Sequence, residues 1–409
     1  MMLKTCRVCH GNSFQKYLDL GFTPLADAFL RAQALREPET TYPLEVHLCL
    51  TCGLSQLGYV VPPAVLYQHD YPYESSTTNA GRKHFAGLAS SAVDRLGLTD
   101  KSLAIDVGSN VGVLLDGFRA RGCRVLGVEP APNIALMAVG RGIDTLNEFF
   151  GPHIASRIIE SHGHASVITA TNVFAHVDDL DGFMEAVDTL LDDKGALIIE
   201  APHFLKLLTN LEYDTIYHEH LSYIAVKPLQ HLFKRFGYEV FDVEEVGIHG
   251  GSLRVFVGRI GRHAMTTAPA ALMAREEQEG CFDINRLHTF AKAVAEHRRV
   301  LVDLLRSLKA QGKTIAGVSA PAKGMTLLNY CHIGTDVLDF VTEKSRLKIG
   351  RYTPGMHIPV MADTELMVKQ PDYALLLAWN FASEIMANLK EYSDRGGQFI
   401  IPIPSPRIV

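Results

Sequence analysis

One stretch decides the fold of this chain: Ala104-Ile105-Asp106-Val107-Gly108-Ser109-Asn110-Val111-Gly112. Its apolar first half predicts a buried strand, and its glycines allow a sharp turn that brings the backbone close to a ligand. A helix is predicted to begin near Gly112, and the free N–H groups at a helix start favour negative charge. Further strands are predicted at residues 125–129, 166–170 and 196–200, alternating with amphipathic helices, as is typical of a parallel sheet built from βαβ units.

The acid Glu129 ends the next predicted strand, about twenty residues after the turn, where a carboxylate can bind ribose hydroxyls. A glycine-rich turn followed by such an acid predicts a site for an adenosine-bearing cofactor. Because the turn is short and has Asn110 where a dinucleotide site has glycine, the pattern favours S-adenosylmethionine over NAD. The residues expected to bind this cofactor are Asp106, Gly108, Ser109, Asn110, Gly112, Glu129, Pro130 and Asn172.

Composition and charge exclude several classes of protein. The 409 residues suffice for two or three domains, and 47% hydrophobic with 21% charged residues is ordinary for an enzyme. The formal net charge of −6 argues against a nucleic-acid partner, which needs clustered positive charge. The longest apolar runs are too short to cross a bilayer, and the N-terminus lacks the apolar stretch of a signal peptide. We therefore expect a cytoplasmic protein with no membrane partner.

Two paired-cysteine motifs precede this region, Cys6-x2-Cys9 and Cys49-x2-Cys52. Each pair can form a knuckle, and together they can place four thiolates tetrahedrally around a structural zinc ion. His10 and His47 are possible substitute ligands. The three remaining cysteines are expected to be buried hydrophobic residues. The N-terminal block is rich in loops and has little core of its own, so the metal is expected to supply stability.

The chain is expected to be α/β, with a small zinc-binding domain at residues 1–70 and a methyltransferase-type Rossmann-like domain at 71–262. A second, smaller α/β domain is expected at 263–409. Residues 238–243 and 252–257 alternate like antiparallel strands at the far edge of the central sheet. In the last domain, a long helix is predicted at 290–311, a second glycine-rich strand end at 314–324, and further strands at 337–342, 373–377 and 399–402.

The densest group of titratable side chains runs from Tyr213 to Tyr223 and follows a predicted strand end. Ligands of open α/β sheets bind beyond the carboxyl ends of the strands. A histidine there can act as a general base near neutral pH, and a tyrosine can donate to a developing oxyanion. Two alternatives stay open, a metal pair formed by His218 and His220 and a polar loop that faces solvent.

In these residues the chain resembles the deoxysugar C-methyltransferase family, whose members act on nucleotide-linked 4-keto sugars in antibiotic sugar biosynthesis. The resemblance covers nearly the whole chain. It is carried by the two cysteine pairs and by the segments Thr23 to Phe29, Gly108 to Asn110, Gly127 to Pro130, Asn172 to Val177, Tyr213 to Tyr223, His249 to Leu253, Ala320 to Gly324 and Gly350 to Gly355. It implies a zinc module, a central S-adenosylmethionine domain and a C-terminal Rossmann-like domain that binds the nucleotide sugar, all around one active site.

The resemblance also implies roles for single residues. His220 matches the proposed base, Tyr217 and Glu219 match residues beside the sugar, and His176 matches an active-site histidine. A further tyrosine that reaches the sugar corresponds to Tyr71 or Tyr73. The chain departs from the family pattern at residues 74–78, where an aromatic and serine-rich run is usual, and at Val111, where an acid is usual. The implied reaction is methylation of C-3, the carbon next to the ketone of a dTDP-linked 4-keto sugar, through an enolate.

Four basic residues are candidates for binding the diphosphate of such a substrate: Lys323, Lys348, Arg351 and His357. A solvated basic face is the alternative for this set. Other functions stay open, namely a natural-product O- or N-methyltransferase, a zinc-ribbon methyltransferase of RNA or protein, an NAD-dependent enzyme of nucleotide sugars, and a non-catalytic binding protein. The sequence does not distinguish a monomer from a homo-oligomer.

Overall fold

The computed structural model describes residues 1–67, 71, 72, 74, 75 and 79–409. The described residues form three sheets, of four, seven and six strands, with helices between and around them. This confirms the α/β class. It also confirms the order of the parts along the chain, which is a cysteine-rich module, a central Rossmann-like sheet and a second sheet at the C-terminal end. No helix in the described part of the chain is both long enough and apolar enough to cross a bilayer.

The N-terminal sheet is antiparallel and holds the cysteine knuckles at one end. Its elements are β1 Phe14–Thr23, β2 Tyr42–Cys49 and β3 Ser55–Leu57, followed by the short helix α1 Pro63–Tyr67. The fourth strand of this sheet, Ser222–Tyr223, comes from the central part of the chain and pairs with β3. The expected domain boundary at residue 70 stays a prediction, since one sheet takes strands from both sides of it.

The central sheet is the expected parallel sheet with an antiparallel edge. Its strands lie in the order β10-β11-β8-β7-β4-β5-β6, and β8 to β6 are parallel, whereas β11 pairs antiparallel with both β8 and β10. The elements are α2 Asn79–Leu96, β4 Leu103–Val107, α3 Val113–Ala120, β5 Arg124–Val128, α4 Pro132–Gly140, β6 Thr145–Leu146, α5 Pro152–His162, β7 Ala165–Thr171, α6 Leu180–Leu190, β8 Leu191–Pro202, α7 Phe204–Thr209, β9 Ser222–Tyr223, α8 Val226–Arg235, β10 Tyr238–Val246 and β11 Ser252–Arg259.

The C-terminal sheet has the order β14-β13-β12-β15-β16-β17 and is parallel except at β17. Its elements are α9 Ala268–Gln278, α10 Ile284–Ala310, β12 Ile315–Val318, α11 Ala322–Cys331, β13 Val341–Glu343, β14 Val360–Ala362, α12 Thr364–Lys369, β15 Tyr373–Leu376, α13 Ala382–Asn388, α14 Lys390–Asp394, β16 Gln398–Ile401 and β17 Arg407–Ile408. The strand predicted at 337–342 begins only at Val341, because Val337 and Leu338 donate to Gly334 O in a turn.

The apolar residues of the N-terminal block are buried in a cluster that they share with the C-terminal part of the chain. Leu18, Val46 and Leu48 are 4%, 0% and 2% exposed, and they belong to one apolar cluster with Phe290 and Val294 of α10. Burying each such side chain contributes about 1.5–3 kcal/mol. The block therefore obtains its core by packing on the C-terminal part of the chain, a long-range contact that local composition does not reveal.

Candidate active site

A cavity of about 810 Å³ is lined by residues from the parts of the chain that form all three sheets. Its wall includes the carboxyl ends of β4, β5, β7 and β8, as the location of ligand sites in open α/β sheets predicts. The N-terminal block contributes Asp27 and Tyr67, and the start of α11 contributes Pro321, Ala322 and Lys323. All three parts of the chain thus enclose the same space.

The glycine-rich turn after β4 has the shape that its sequence predicts. Gly108 has φ +64 and Asn110 has φ +50, and the N–H of Gly108 donates to Val128 O at 2.7 Å. A side chain at Gly108 would collide with Val173. Only glycine adopts this left-handed backbone conformation at no cost and also has no Cβ to overlap with Val173. Glycine at this position therefore lets the backbone run close to the cavity.

Glu129 closes the turn from the opposite side. Its Oε2 accepts from the N–H of Asn110 at 2.9 Å and its Oε1 accepts from the N–H of Ala131 at 2.8 Å. The side chain is buried, which raises the pKa of its carboxyl group above the ordinary value. A carboxylate has about four lone-pair positions, so it can still accept from the hydroxyls of a ribose.

Seven of the eight residues expected to bind the cofactor line the cavity. Asp106 lies at its base, accepts from Thr169 Oγ1 at 2.6 Å, and burial raises its pKa to about 7. Among the described residues, Gly112 is outside the wall; it precedes α3 with φ +80 and donates to Ser109 O. The other six that line the cavity are Gly108, Ser109, Asn110, Glu129, Pro130 and Asn172.

His220 is buried in the cavity wall, and its ring is held in one tautomer. Its Nδ1 lies 2.7 Å from the carbonyl oxygen of Thr215. A carbonyl oxygen can only accept, so Nδ1 carries the proton and Nε2 is the basic nitrogen. The ring of Tyr217 lies 4.0 Å from it, centroid to centroid, and also faces the cavity.

His176 lies beside His220, with their ring centroids 5.0 Å apart. Its Nδ1 is 3.1 Å from the hydroxyl of Tyr67, and the two rings stack at 6.2 Å. Its Nε2 is buried and has no hydrogen-bond partner among the described residues. Burial lowers the pKa of His176 to about 4, so the ring is neutral at neutral pH.

Glu219 and Tyr71 both line this cavity and are hydrogen-bonded to each other. The Tyr71 hydroxyl donates to Glu219 Oε2 at 3.1 Å. Burial, and after it the nearby carboxylate of Asp27, raises the pKa of Glu219 to about 8. At neutral pH this carboxyl is therefore largely protonated and can donate a hydrogen bond. The other candidate tyrosine, Tyr73, is outside the described residues.

Neither alternative for the segment 213–223 fits the structure. His218 lies outside the cavity wall as described, and its Nε2 donates to Tyr42 O at 3.3 Å in the N-terminal block. The two imidazoles therefore do not form a metal pair. The solvent-facing loop is also wrong, because Tyr213, Glu219 and His220 are only 0%, 4% and 8% exposed.

The four basic candidates separate into two groups. Lys323 and Lys348 line the cavity, whereas Arg351 and His357 lie outside its wall as far as the described residues define it. Lys348 Nζ already donates to Asp27 Oδ1 at 3.0 Å and to Ala320 O at 2.9 Å. Among the described residues, Lys323 Nζ is buried without a hydrogen-bond partner, 4.8 Å above the Trp379 ring. All three donors of Lys323 are thus available to an anionic ligand, whereas Lys348 has one left.

The four cysteines of the paired motifs form a compact cluster at the end of the N-terminal sheet. Their sulfur atoms all lie within 4.8 Å of one another, and the pairs Cys6–Cys52 and Cys9–Cys49 are 3.6 Å apart. Four thiolates at about 2.3 Å from a tetrahedral zinc would be roughly 3.8 Å apart, so the set fits that ion. His10 and His47 contact Asp181 and Glu45 instead. A closed set of four thiolates leaves no open position, which makes the site structural.

Sequence reasoning did not single out Asp27, Tyr67 or Trp379 as functional residues. Asp27 is hydrogen-bonded to Lys348, more than 300 residues further along the chain, and Tyr67 is hydrogen-bonded to His176, more than 100 residues further along. Trp379 Nε1 donates to Asp214 Oδ2 at 2.6 Å and so joins the C-terminal domain to the 213–223 segment. Only Asp27 carried a signal, as part of the motif Thr23 to Phe29.

Comparison with known proteins agrees with this architecture. Residues 6–67 match the model of a putative zinc binding domain, residues 82–243 a methyltransferase domain, and residues 247–404 a C-methyltransferase C-terminal domain. The C-methyltransferase NovU of Streptomyces niveus is 38% identical over 405 residues, covering 99% of this chain and 96% of NovU.

Among solved structures, the magnesium protoporphyrin IX methyltransferase of Synechocystis PCC 6803 with bound SAM is 12% identical, covering 44% of this chain and 79% of that chain, with a TM-score of 0.33. The putative methyltransferase in complex with the Haloferax volcanii Trm112 activator is 13% identical, covering 44% and 95%, with a TM-score of 0.36. The full-length similarity to NovU and the three matched domains show that this chain belongs to the S-adenosylmethionine-dependent C-methyltransferases with an N-terminal zinc-binding module.

Proposed function

We propose that this enzyme methylates C-3, the carbon next to the ketone, of a dTDP-linked 4-keto deoxysugar through an enolate. One observation carries the proposal. The same cavity is lined by the cofactor turn with Glu129, by the paired rings of His176 and His220, and by the buried Lys323 amine. We assign adjoining parts of this cavity to the cofactor, to the carbon acid and to the anionic carrier group.

His220 is the base in this proposal. A ketone acidifies the hydrogen on the neighbouring carbon, and Nε2 of His220 takes that proton because Nδ1 already donates to Thr215 O. The carbonyl of Thr215 also stabilises the imidazolium that forms, since it accepts from its Nδ1–H. Tyr217, whose ring covers His220 at 4.0 Å, limits the orientations that the imidazole can take.

His176 holds the enolate oxygen. A phenol hydroxyl is a stronger donor than a neutral imidazole N–H, and an imidazole nitrogen is the better acceptor, so Tyr67 donates to Nδ1. The proton of His176 is then on Nε2, which has no partner among the described residues and can donate to the substrate oxygen. A neutral histidine suits this role because it stabilises the oxyanion without giving up its proton. The protonated carboxyl of Glu219 is a second donor.

The cofactor turn and Glu129 would hold S-adenosylmethionine, which would supply an electrophilic methyl group to the enolate carbon and leave as S-adenosylhomocysteine. His220 would keep the abstracted proton during this transfer and then release it to solvent. The cofactor turn and the histidine pair must hold the reacting carbons roughly 3–3.5 Å apart.

The diphosphate lies at the start of α11 in this proposal. The first N–H groups of a helix have no partner inside the helix and favour an anion. Lys323, the second residue of the ten-residue helix α11, adds its buried amine. The cation of Lys348 contributes less, because Asp27 and Ala320 already accept from it.

Hydrogen exchange at the substrate carbon tests the proposal directly. Wild-type enzyme with the S-adenosylmethionine product, S-adenosylhomocysteine, in deuterated buffer should exchange the C-3 hydrogen of a dTDP-4-keto sugar, as followed by NMR. His220→Asn should abolish exchange and keep cofactor binding, because Asn cannot accept the proton. Retained exchange in His220→Asn would remove His220 from the base role. Exchange and methylation at C-5 instead of C-3 would refute the proposed position, since C-5 is also next to the ketone.

A further inference from the structure

Arg7 lies between the knuckle cysteines Cys6 and Cys9, yet its guanidinium is buried and not on the surface. The residue is 6% exposed. Its Nε is 2.9 Å from Asp178 Oδ1, and its Nη1 lies 3.2 Å from Leu57 O and 3.3 Å from Leu221 O. One cation therefore joins three segments that are distant in sequence.

Two of these segments carry the histidine pair. Asp178 follows His176 by two residues and itself lines the cavity, and Leu221 directly follows His220. His176 ends a three-residue 3-10 helix and His220 lies outside any helix or strand, so no single element holds both histidines. The segment 217–221 is also held by the N-terminal sheet. β3 pairs with β9, and next to this pair Leu57 N donates to Leu221 O at 2.9 Å.

The cost of burying this cation argues that it does more than stabilise the fold. The Nη2 of Arg7 is buried and has no hydrogen-bond partner in the described part of the chain. A buried charge with an unmatched donor is often no better for stability than an apolar side chain of the same size.

We propose that Arg7 is a positioning residue, which holds the segments of His176 and His220 in register and thereby joins the zinc knuckle to the chemistry of the site. The catalytic consequence rests on the proposed roles of these histidines, whereas the structural consequence does not. Loss of the guanidinium frees the 172–178 and 217–221 segments to shift relative to each other. A misplacement of about 1 Å can lower a rate about 10²-fold.

Arg235 provides a matched control. It also joins the knuckle to the central domain, because its Nη1 donates to Val8 O at 2.6 Å and its Nη2 to Asp181 Oδ2 at 2.7 Å. In the described part of the chain, its hydrogen bonds and ion pairs do not reach the segments 172–178 and 217–221. Arg7→Met and Arg235→Met therefore each remove one arginine that joins the knuckle to the central domain, and only the first removes contacts with the segments that carry the two histidines.

The experiment compares both variants with wild type in zinc content, affinity for S-adenosylhomocysteine, kcat, KM and the NMR signals of ¹⁵N-labelled histidine. For Arg7→Met we expect full zinc content, cofactor affinity within about twofold as for a distant substitution, and a kcat lowered by about 10²-fold with little change in KM. The ring-nitrogen signals of His176 and His220 should move. Arg235→Met should keep kcat and both signals, even if it unfolds at a lower temperature.

Equal losses of kcat in the two variants, or unmoved histidine signals in Arg7→Met, would overturn the inference. If Arg7→Met does not fold, Asp178→Asn tests the same contact, because it keeps the shape but removes the charge that Arg7 binds; wild-type kcat and histidine signals in that variant would also overturn it. The histidine signals need no substrate. They therefore separate a failure of this inference from a failure of the proposed reaction, which would appear as absent exchange in the wild type.

Discussion

Replacing Glu129 by Gln should weaken cofactor binding while leaving the fold intact. In the structure both carboxylate oxygens accept backbone N–H groups, from Asn110 at 2.9 Å and from Ala131 at 2.8 Å. An amide has one oxygen, so its NH2 group must face one of these donors or rotate out of the turn. In either case the side chain loses an acceptor and its charge on the side that faces the ribose.

The expected size of the effect follows from these contacts. A hydrogen bond to a charged group contributes about 1.5–3 kcal/mol. Loss of one such bond to a ribose hydroxyl should raise the Kd for S-adenosylhomocysteine about 10- to 150-fold. The altered turn adds to the loss, because the N–H of Asn110 then has a weaker acceptor.

Titration calorimetry with S-adenosylhomocysteine measures this change, with Glu244→Gln as the control. Like Glu129, Glu244 accepts hydrogen bonds, in its case from the side chain of Arg254. It lies outside the described wall of the cavity. Its substitution should alter the Kd by about twofold or less, as is usual for a site away from the ligand. A folded Glu129→Gln variant with wild-type Kd would refute the assignment of Glu129 to the ribose.

Four further outcomes are expected. Lys323→Gln should raise the KM for the nucleotide sugar about 10- to 150-fold through loss of a charge-assisted contact, and a KM that matches wild type in steady-state kinetics would contradict the diphosphate assignment. Gly108→Ala should cost about 1–2 kcal/mol for its left-handed backbone before the overlap with Val173, so a variant with unchanged cofactor affinity and melting temperature would show that the turn is not tight. Cys9→Ser should lower the zinc content and the melting temperature together, measured by metal analysis and calorimetry, and full stability without zinc would argue against a structural ion. Burial lowers the pKa of His218 to about 4, so as the pH falls below about 6.5 the unfolded chain binds a proton before the folded chain does, and about 3 kcal/mol of stability is lost by pH 4. In denaturant titrations at several pH values, His218→Gln should remove that part of the pH dependence. An unchanged dependence of stability on pH would place His218 in solvent.

Much of the fold could be predicted because its signals are local. The strands at 103–107 and 125–128 are short, apolar and bounded by turns, and the glycines at 108 and 112 mark the strand-to-helix turn whatever surrounds it. The two identical cysteine spacings likewise indicate a metal site without any knowledge of the fold. The density of titratable side chains marked the 213–223 segment, and resemblance to a family assigned roles to its single residues.

Local pattern thus established the α/β class, the cofactor turn and the cysteine set, because periodicity and short spacings are written into neighbouring residues. Packing alone decided the rest. The protons on His220 and His176 are placed by Thr215 O and by the hydroxyl of Tyr67, and the N-terminal block finds its core on α10. Lys323 and not Arg351 lines the cavity, and Arg7 joins three distant segments. These contacts form between residues far apart in the chain, so their partners are set by how the three sheets meet and not by any neighbouring residue.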